Sequence, residues 1–77
     1  MNYRILDTVV LVRALPEHNL QAGDLGAVVE VYEPDGVEVE FVAASGRTRA
    51  VVTLRDADIR RADDSDLMSV RTLDQSA

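Results

Sequence analysis

Residues 26–42 read Gly26-Ala27-Val28-Val29-Glu30-Val31-Tyr32-Glu33-Pro34-Asp35-Gly36-Val37-Glu38-Val39-Glu40-Phe41-Val42. In the second half Val37, Val39 and Phe41 alternate with Glu38 and Glu40, the period of two expected of a strand with one buried face. Before it stands Glu33-Pro34-Asp35-Gly36, with proline and then glycine where a type I turn and a left-handed exit place them. Gly26–Glu33 is β-branched and apolar, and the turn makes it the antiparallel partner of Val37–Val42. The run is therefore a β-hairpin with an acidic outer face.

Working outward, Ala44-Ser45-Gly46 is a turn and Arg47–Leu54 a further strand. Its Ala50, Val52 and Leu54 point inward, and Arg47, Arg49 and Val51 point outward. Upstream, Asp7–Val12 is a continuous β-branched strand. Val9 and Leu11 fall on one face, Val10 and Val12 on the other, so both faces need cover. Residues 1–6 are a lead-in expected to tuck Ile5 or Leu6 into the core. Residues 13–25 form a long loop broken by Pro16, with Gly23 and Gly26 as its permissive turn residues. Downstream, Arg55–Asp58 suits a single 3₁₀ turn, and Ile59 begins a short fifth strand. Asp63-Asp64-Ser65-Asp66 interrupts the pattern. Leu67, Met68, Val70 and Leu73 follow with spacing that suits a short helix capped by Ser65 or Asp66, or a strand. Gln75-Ser76-Ala77 is expected to fray.

The expected fold is all-β: a small five-stranded SH3-like barrel over 1–62, with a short 3₁₀ turn and a C-terminal extension over 63–77 that is partly flexible or docked on the barrel. A barrel removes open edges from so short an all-β chain. The competing architecture is an open meander that needs a partner to complete its core.

Composition narrows the function classes. The chain has 77 residues, so one small domain is expected. It has no cysteine, which excludes disulfides, thiolate chemistry and cysteine-ligated zinc. No apolar run approaches the ~18 residues of a membrane span, and no basic segment leads into an apolar one. A cytoplasmic protein without membrane association is expected. The formal charge is -6, and all eight basic residues are arginine. Such a charge repels a phosphate backbone and favours a basic or neutral protein partner.

The residues that could carry chemistry are few. His18 is the only histidine and has no second ligand or base at a recognisable spacing. Ser45, Ser65, Ser69 and Ser76 likewise lack a base. Glu38 and Glu40, with Glu30 on the adjacent strand, are a solvated acidic face, and nothing there desolvates a carboxylate for acid–base work. Arg47 and Arg49 are expected to pair across strands with Glu38 or Glu40. Asp56, Asp58, Asp63, Asp64 and Asp66 lack the glycine and terminal glutamate of a calcium loop. Tyr32 is a rim residue of the kind that anchors partners. No catalytic activity, metal or cofactor is expected.

Asp7–Val31, with Asp7 before the first strand and Gly23-Asp24-Leu25-Gly26-Ala27-Val28 leading into the second, resembles a KOW-type SH3-like segment. A larger resemblance rests on Leu6-Asp7-Thr8-Val9-Val10-Leu11, Leu15-Pro16-Glu17-His18, Gly23–Tyr32, Glu38–Val42, Gly46-Arg47-Thr48, Val52-Thr53-Leu54 and Asp58-Ile59-Arg60. Over these residues the chain is similar to the bacterial family known as domain of unknown function 4926. Its members are small SH3-like proteins, often encoded beside toxin-like proteins. The resemblance thus implies an antitoxin or immunity role. The family's loop glycine after the histidine is Asn19 here, which also tolerates a left-handed backbone.

The leading expectation is a non-catalytic protein-interaction module. Val10, Val12 and Tyr32 would supply apolar contact to a partner, a basic toxin-like protein, and Glu38 and Glu40 the charge. Two alternatives stand beside it. One is a KOW-like nucleic-acid-binding barrel using Arg47 and Arg49. The other is a self-associating module in which a homodimer covers Val10 and Val12.

Overall fold

The computed structural model describes residues 3–72. The fold is all-β, with β1 (Thr8–Leu11), β2 (Leu25–Tyr32), β3 (Gly36–Val42), β4 (Thr48–Arg55) and β5 (Ile59–Arg61) in one antiparallel sheet. The strand order is β4-β3-β2-β1-β5. Short 3₁₀ turns occupy Pro16–His18 and Asp56–Asp58. The strands lie within one residue of where the apolar patterning put them: β1 is trimmed at both ends, β2 and β4 are displaced by one residue, and β3 starts one residue earlier. Leu73 and Gln75-Ser76-Ala77 lie outside the described residues, and 62–72 contains neither helix nor strand.

Connection length dictates the shape. Between β4 and β5 lie four strand spacings, about 19 Å across a flat sheet at about 4.8 Å each. Only Asp56–Asp58 joins them, and a 3₁₀ turn of that size advances about 6 Å. The sheet must therefore curl until its two edges approach one another. Two irregularities bend it. β2 pairs with β1 through Leu25–Ala27 and with β3 from Ala27 to Tyr32, and a bulge at Val29 shifts the β2–β3 register between Val28–Val39 and Glu30–Glu38. The extra residue lets both Val28 and Val31 face the core. A second bulge, at Arg49, lies between Phe41–Ala50 and Val42–Thr48.

Both edge strands feed a single core. Leu54 of β4 and Ile59 of β5 join Val9, Leu11, Val28, Val37, Val39 and Phe41 in one cluster. Leu15 and Leu20 close it from the long loop, where their backbones bond reciprocally at 2.9 and 3.1 Å around the first 3₁₀ turn. Asn19 closes that turn in the left-handed conformation at φ 59°. Each such aliphatic side chain contributes about 1.5–3 kcal/mol on burial. The chain thus gathers its core from both ends of the sheet, although β4 and β5 each keep an unpaired side and the expected closed barrel is not formed by strand pairing.

Four local expectations are corrected. Ile5 and Leu6 are exposed, and Tyr3 packs on the core instead. Leu6 sits at φ 78° because the chain turns there to let its N–H reach the Val28 carbonyl at 2.7 Å. Val10 is only 4% exposed, so the second face of β1 is already covered. Gly36 has no left-handed backbone and is the first residue of β3, paired with Tyr32. Of the two loop glycines only Gly23 needs its φ, at 97°. Gly26 lies in β2 and is needed for space: a Cβ there would stand 2.5 Å from Val39 Cγ1 and 2.9 Å from Phe41 Cε1.

Gly26→Ala is therefore expected to cost about 1–3 kcal/mol in urea unfolding, as overpacking does. A variant as stable as the parent would show that β2 and β3 can separate freely at this point. The second 3₁₀ turn yields another prediction. The Asp58 carboxylate accepts from the Arg55 N–H at 3.0 Å and from Arg13 Nε at 2.7 Å, and its carbonyl accepts from Val12 N–H at 2.9 Å. Asp58→Ala should lose about 1–2 kcal/mol. Asp58→Asn keeps an acceptor and should lose about half of that; equal losses would mean the backbone bond to Arg55 contributes little.

Candidate functional site

Alternation on β3 buries Val37, Val39 and Phe41 and turns Glu38 and Glu40 to the opposite face. After the Val29 bulge β2 presents Glu30 and Tyr32 on that same face. Glu30 stands directly opposite Glu38. Like charges so placed are unfavourable by roughly 0.2–1 kcal/mol. The Tyr32 hydroxyl donates to Glu38 Oε1 at 2.8 Å, and this carboxylate, with burial a smaller cause, raises the Tyr32 pKa. The Thr48 hydroxyl donates to Glu40 Oε2. Exposed Val51 lies beside Glu40 on β4.

The structure therefore brings together Tyr32, Glu38 and Glu40 of the expected contact residues and adds Glu30 and Val51. Val10 and Val12 do not belong to this face. Val10 is buried between Leu25 and Arg60 in the β1 registers. Val12 is exposed, but it lies past the end of β1, with its N–H held by the second 3₁₀ turn. The expected pairing of Arg47 and Arg49 with Glu38 and Glu40 is not formed. The register sets Glu38 opposite Thr53 and Glu40 opposite Val51, and Arg49 falls on the bulge. Among the described residues no arginine forms an ion pair with these carboxylates.

Elsewhere arginine and aspartate meet closely. Arg61 bonds Asp7 at 2.7 Å and lies 5.0 Å above the Tyr3 ring. Arg13 bonds Asp58 at 2.7 Å, and Arg60 holds Asp66 through two nitrogens at 2.7 and 2.9 Å. Arg71 grips Asp24 in the same forked manner at 2.9 and 2.5 Å, and also reaches the Asn19 carbonyl at 3.1 Å. That pair draws the segment after β5 back over the loop before β2. Nothing in the sequence reveals it, because the partners are 47 residues apart and each is one of many like residues.

The returning segment borders an open groove of about 490 Å³, lined by Leu25, Phe41, Val42 and Arg49 on one side and Leu67 and Met68 on the other. Leu67, Met68 and Val70 are nearly fully exposed. His18 sits exposed in the first 3₁₀ turn. Among the described residues no three His, Cys, Asp or Glu side chains are grouped to hold a metal ion. Nor is any helix there long and apolar enough to cross a membrane.

A family model matches residues 5–61, from just before β1 to the last residue of β5. The chain belongs to the family described as domain of unknown function (DUF4926). No curated protein and no solved structure matches it. The carboxylate face lies wholly inside the DUF4926 span, whereas Arg71 and its grip on Asp24 reach beyond it.

The aspartates foretell an acid response. Asp66 is lowered from 3.8 to about 2, first by the Arg60 guanidinium and then by the Asp63 N–H. Asp7 is lowered chiefly by the Arg4 N–H. Burial is the largest single influence on Asp24 and Asp58 and pushes both upward, but Arg71 with the Gln21 N–H, and Arg13 with the Arg55 N–H, together outweigh it, so both are lowered. Groups with depressed folded-state values stabilise above the unfolded value and lose that contribution as pH falls through the folded one. The urea midpoint should stay flat above about pH 4 and fall towards pH 2. The Asp66 carboxyl carbon should titrate near 2 by NMR. A midpoint unchanged between pH 4 and 2 would mean that these pairs do not couple to folding.

Proposed function

We propose that this chain is a non-catalytic protein-interaction module whose β2–β3 outer face engages a basic surface on a protein partner. The observation that carries this reading is the direct opposition of Glu30 and Glu38, flanked by Glu40 and capped by Tyr32. Folding alone gives no reason to hold two carboxylates there, since neutral residues would be more stable. A cationic partner surface turns the same arrangement into attraction, and Tyr32 adds an aromatic anchor at its edge. The partner class that fits is a basic toxin-like protein, with this chain as its antitoxin or immunity partner. It would act by occupying the basic surface. The absence of cysteine suits a reducing compartment, and the reading takes the protein as cytoplasmic.

This reading makes stability and affinity move in opposite directions. Glu30→Gln and Glu38→Gln should each raise stability by about 0.2–1 kcal/mol in urea. Each should also weaken salt-sensitive binding of a heptaarginine probe severalfold. In source cells, Glu38→Arg/Glu40→Arg should abolish capture of a stoichiometric basic protein that the parent retains at moderate salt. Unchanged probe affinity in the neutralised variants would remove this face from consideration. Capture of RNA-associated proteins that nuclease releases would favour the nucleic-acid reading instead.

A further inference from the structure

β4 is an eight-residue strand with β3 on one side and no strand on the other. The opposite edge of the sheet, β5, has three residues, and both of its arginines are engaged by aspartates. Along β4 the core is incompletely covered. The core-facing residues of β3 are buried to 3% exposure or less, whereas of their counterparts on β4 only Leu54 is buried and Ala50 and Val52 are partly exposed. An edge that is long, β-branched and laterally open to the core is a template for an added strand.

Charge selects what can be added. Arg47 lies just before β4, Arg49 near its start and Arg55 at its end, and among the described residues none of the three forms an ion pair. Between Arg49 and Arg55 the strand is uncharged: Ala50-Val51-Val52-Thr53-Leu54. A second copy pairing antiparallel about Val52 would set Arg49 against Arg55 twice, and like charges directly opposite are unfavourable.

We propose that the β4 edge is a docking site for an extended peptide segment of another protein, with carboxylates six residues apart and apolar residues between them. Its backbone would extend the sheet. Its carboxylates would meet Arg49 and Arg55, and alternate apolar side chains would cover Val52 and its neighbours. The site uses the free edge of β4, whereas the Glu30–Glu38 face adjoins Val51 of the same strand, and it takes a partner of opposite charge, so either can fail without the other.

The test uses acetyl-Glu-Val-Thr-Val-Thr-Val-Glu-amide and its counterpart with lysine at both ends, titrated into the ¹⁵N-labelled full chain. The glutamate peptide should shift the Thr48–Arg55 amides and protect them from hydrogen exchange. Its affinity should fall by about fivefold or more in Arg49→Gln/Arg55→Gln, the loss of two surface ion pairs. Arg49→Glu/Arg55→Glu should prefer the lysine peptide. Equal binding of both peptides to the parent, shifts confined to other strands, or no binding at about 1 mM would overturn the proposal. Protection of β4 without peptide, together with a dimer mass by light scattering, would overturn it in favour of a second copy.

Discussion

The second 3₁₀ turn is the constraint on which the rest of the structure depends. Asp56–Asp58 must carry the chain from one edge of the sheet to the other, and it is too short to do so unless the sheet curls. Curling brings Leu54 and Ile59 into the same cluster. That convergence lets a short chain enclose a core with one sheet. Asp58 ties the turn to the end of β4 through the Arg55 N–H and to the long loop through Arg13 and Val12. The bulges at Val29 and Arg49 let β2 and β4 follow the bend while keeping their apolar residues inside.

Curling has an electrostatic consequence. The outer face becomes the convex surface of the β2–β3–β4 half, and the Val29 bulge sets which β2 residues reach it. Shifted by one residue, β2 would present Val31 instead of Glu30 and Tyr32. The face is therefore acidic because of a bulge as much as because of composition. The same register separates Glu38 and Glu40 from Arg47 and Arg49, leaving cations at the β4 edge and anions on the adjacent face. The DUF4926 span covers both features.

Much of this was legible beforehand. Alternation at Val37–Val42 determined which side of β3 faces away from the core, and hence that Glu38 and Glu40 share that face, each half-buried. The β-branched runs located the strands, and the short Arg55–Asp58 connection was readable as a 3₁₀ turn. The reading failed where neighbours mattered. Val10 looked like a surface needing an outside partner, yet the chain covers it. Gly26 looked like a turn residue, yet it is small because Val39 and Phe41 lie against it. The Arg–Glu pairing looked natural between adjacent strands, yet the register places Thr53 and Val51 there.

From sequence alone came the all-β class, the strand positions, the acidic face of β3, and the lack of any thiol or histidine pair on which catalysis could be built. These are local properties: periodicity, propensity and residue type act within a few positions. Tertiary structure decided the open-edged curl, the opposition of Glu30 and Glu38, the grip of Arg71 on Asp24 and the place of Arg49 and Arg55 at the edge of β4. Each depends on strand register or on residues far apart in the chain, and a bulge of one residue is enough to change the outcome. Periodicity names a strand's two faces, but only the packed sheet determines what stands opposite each of them.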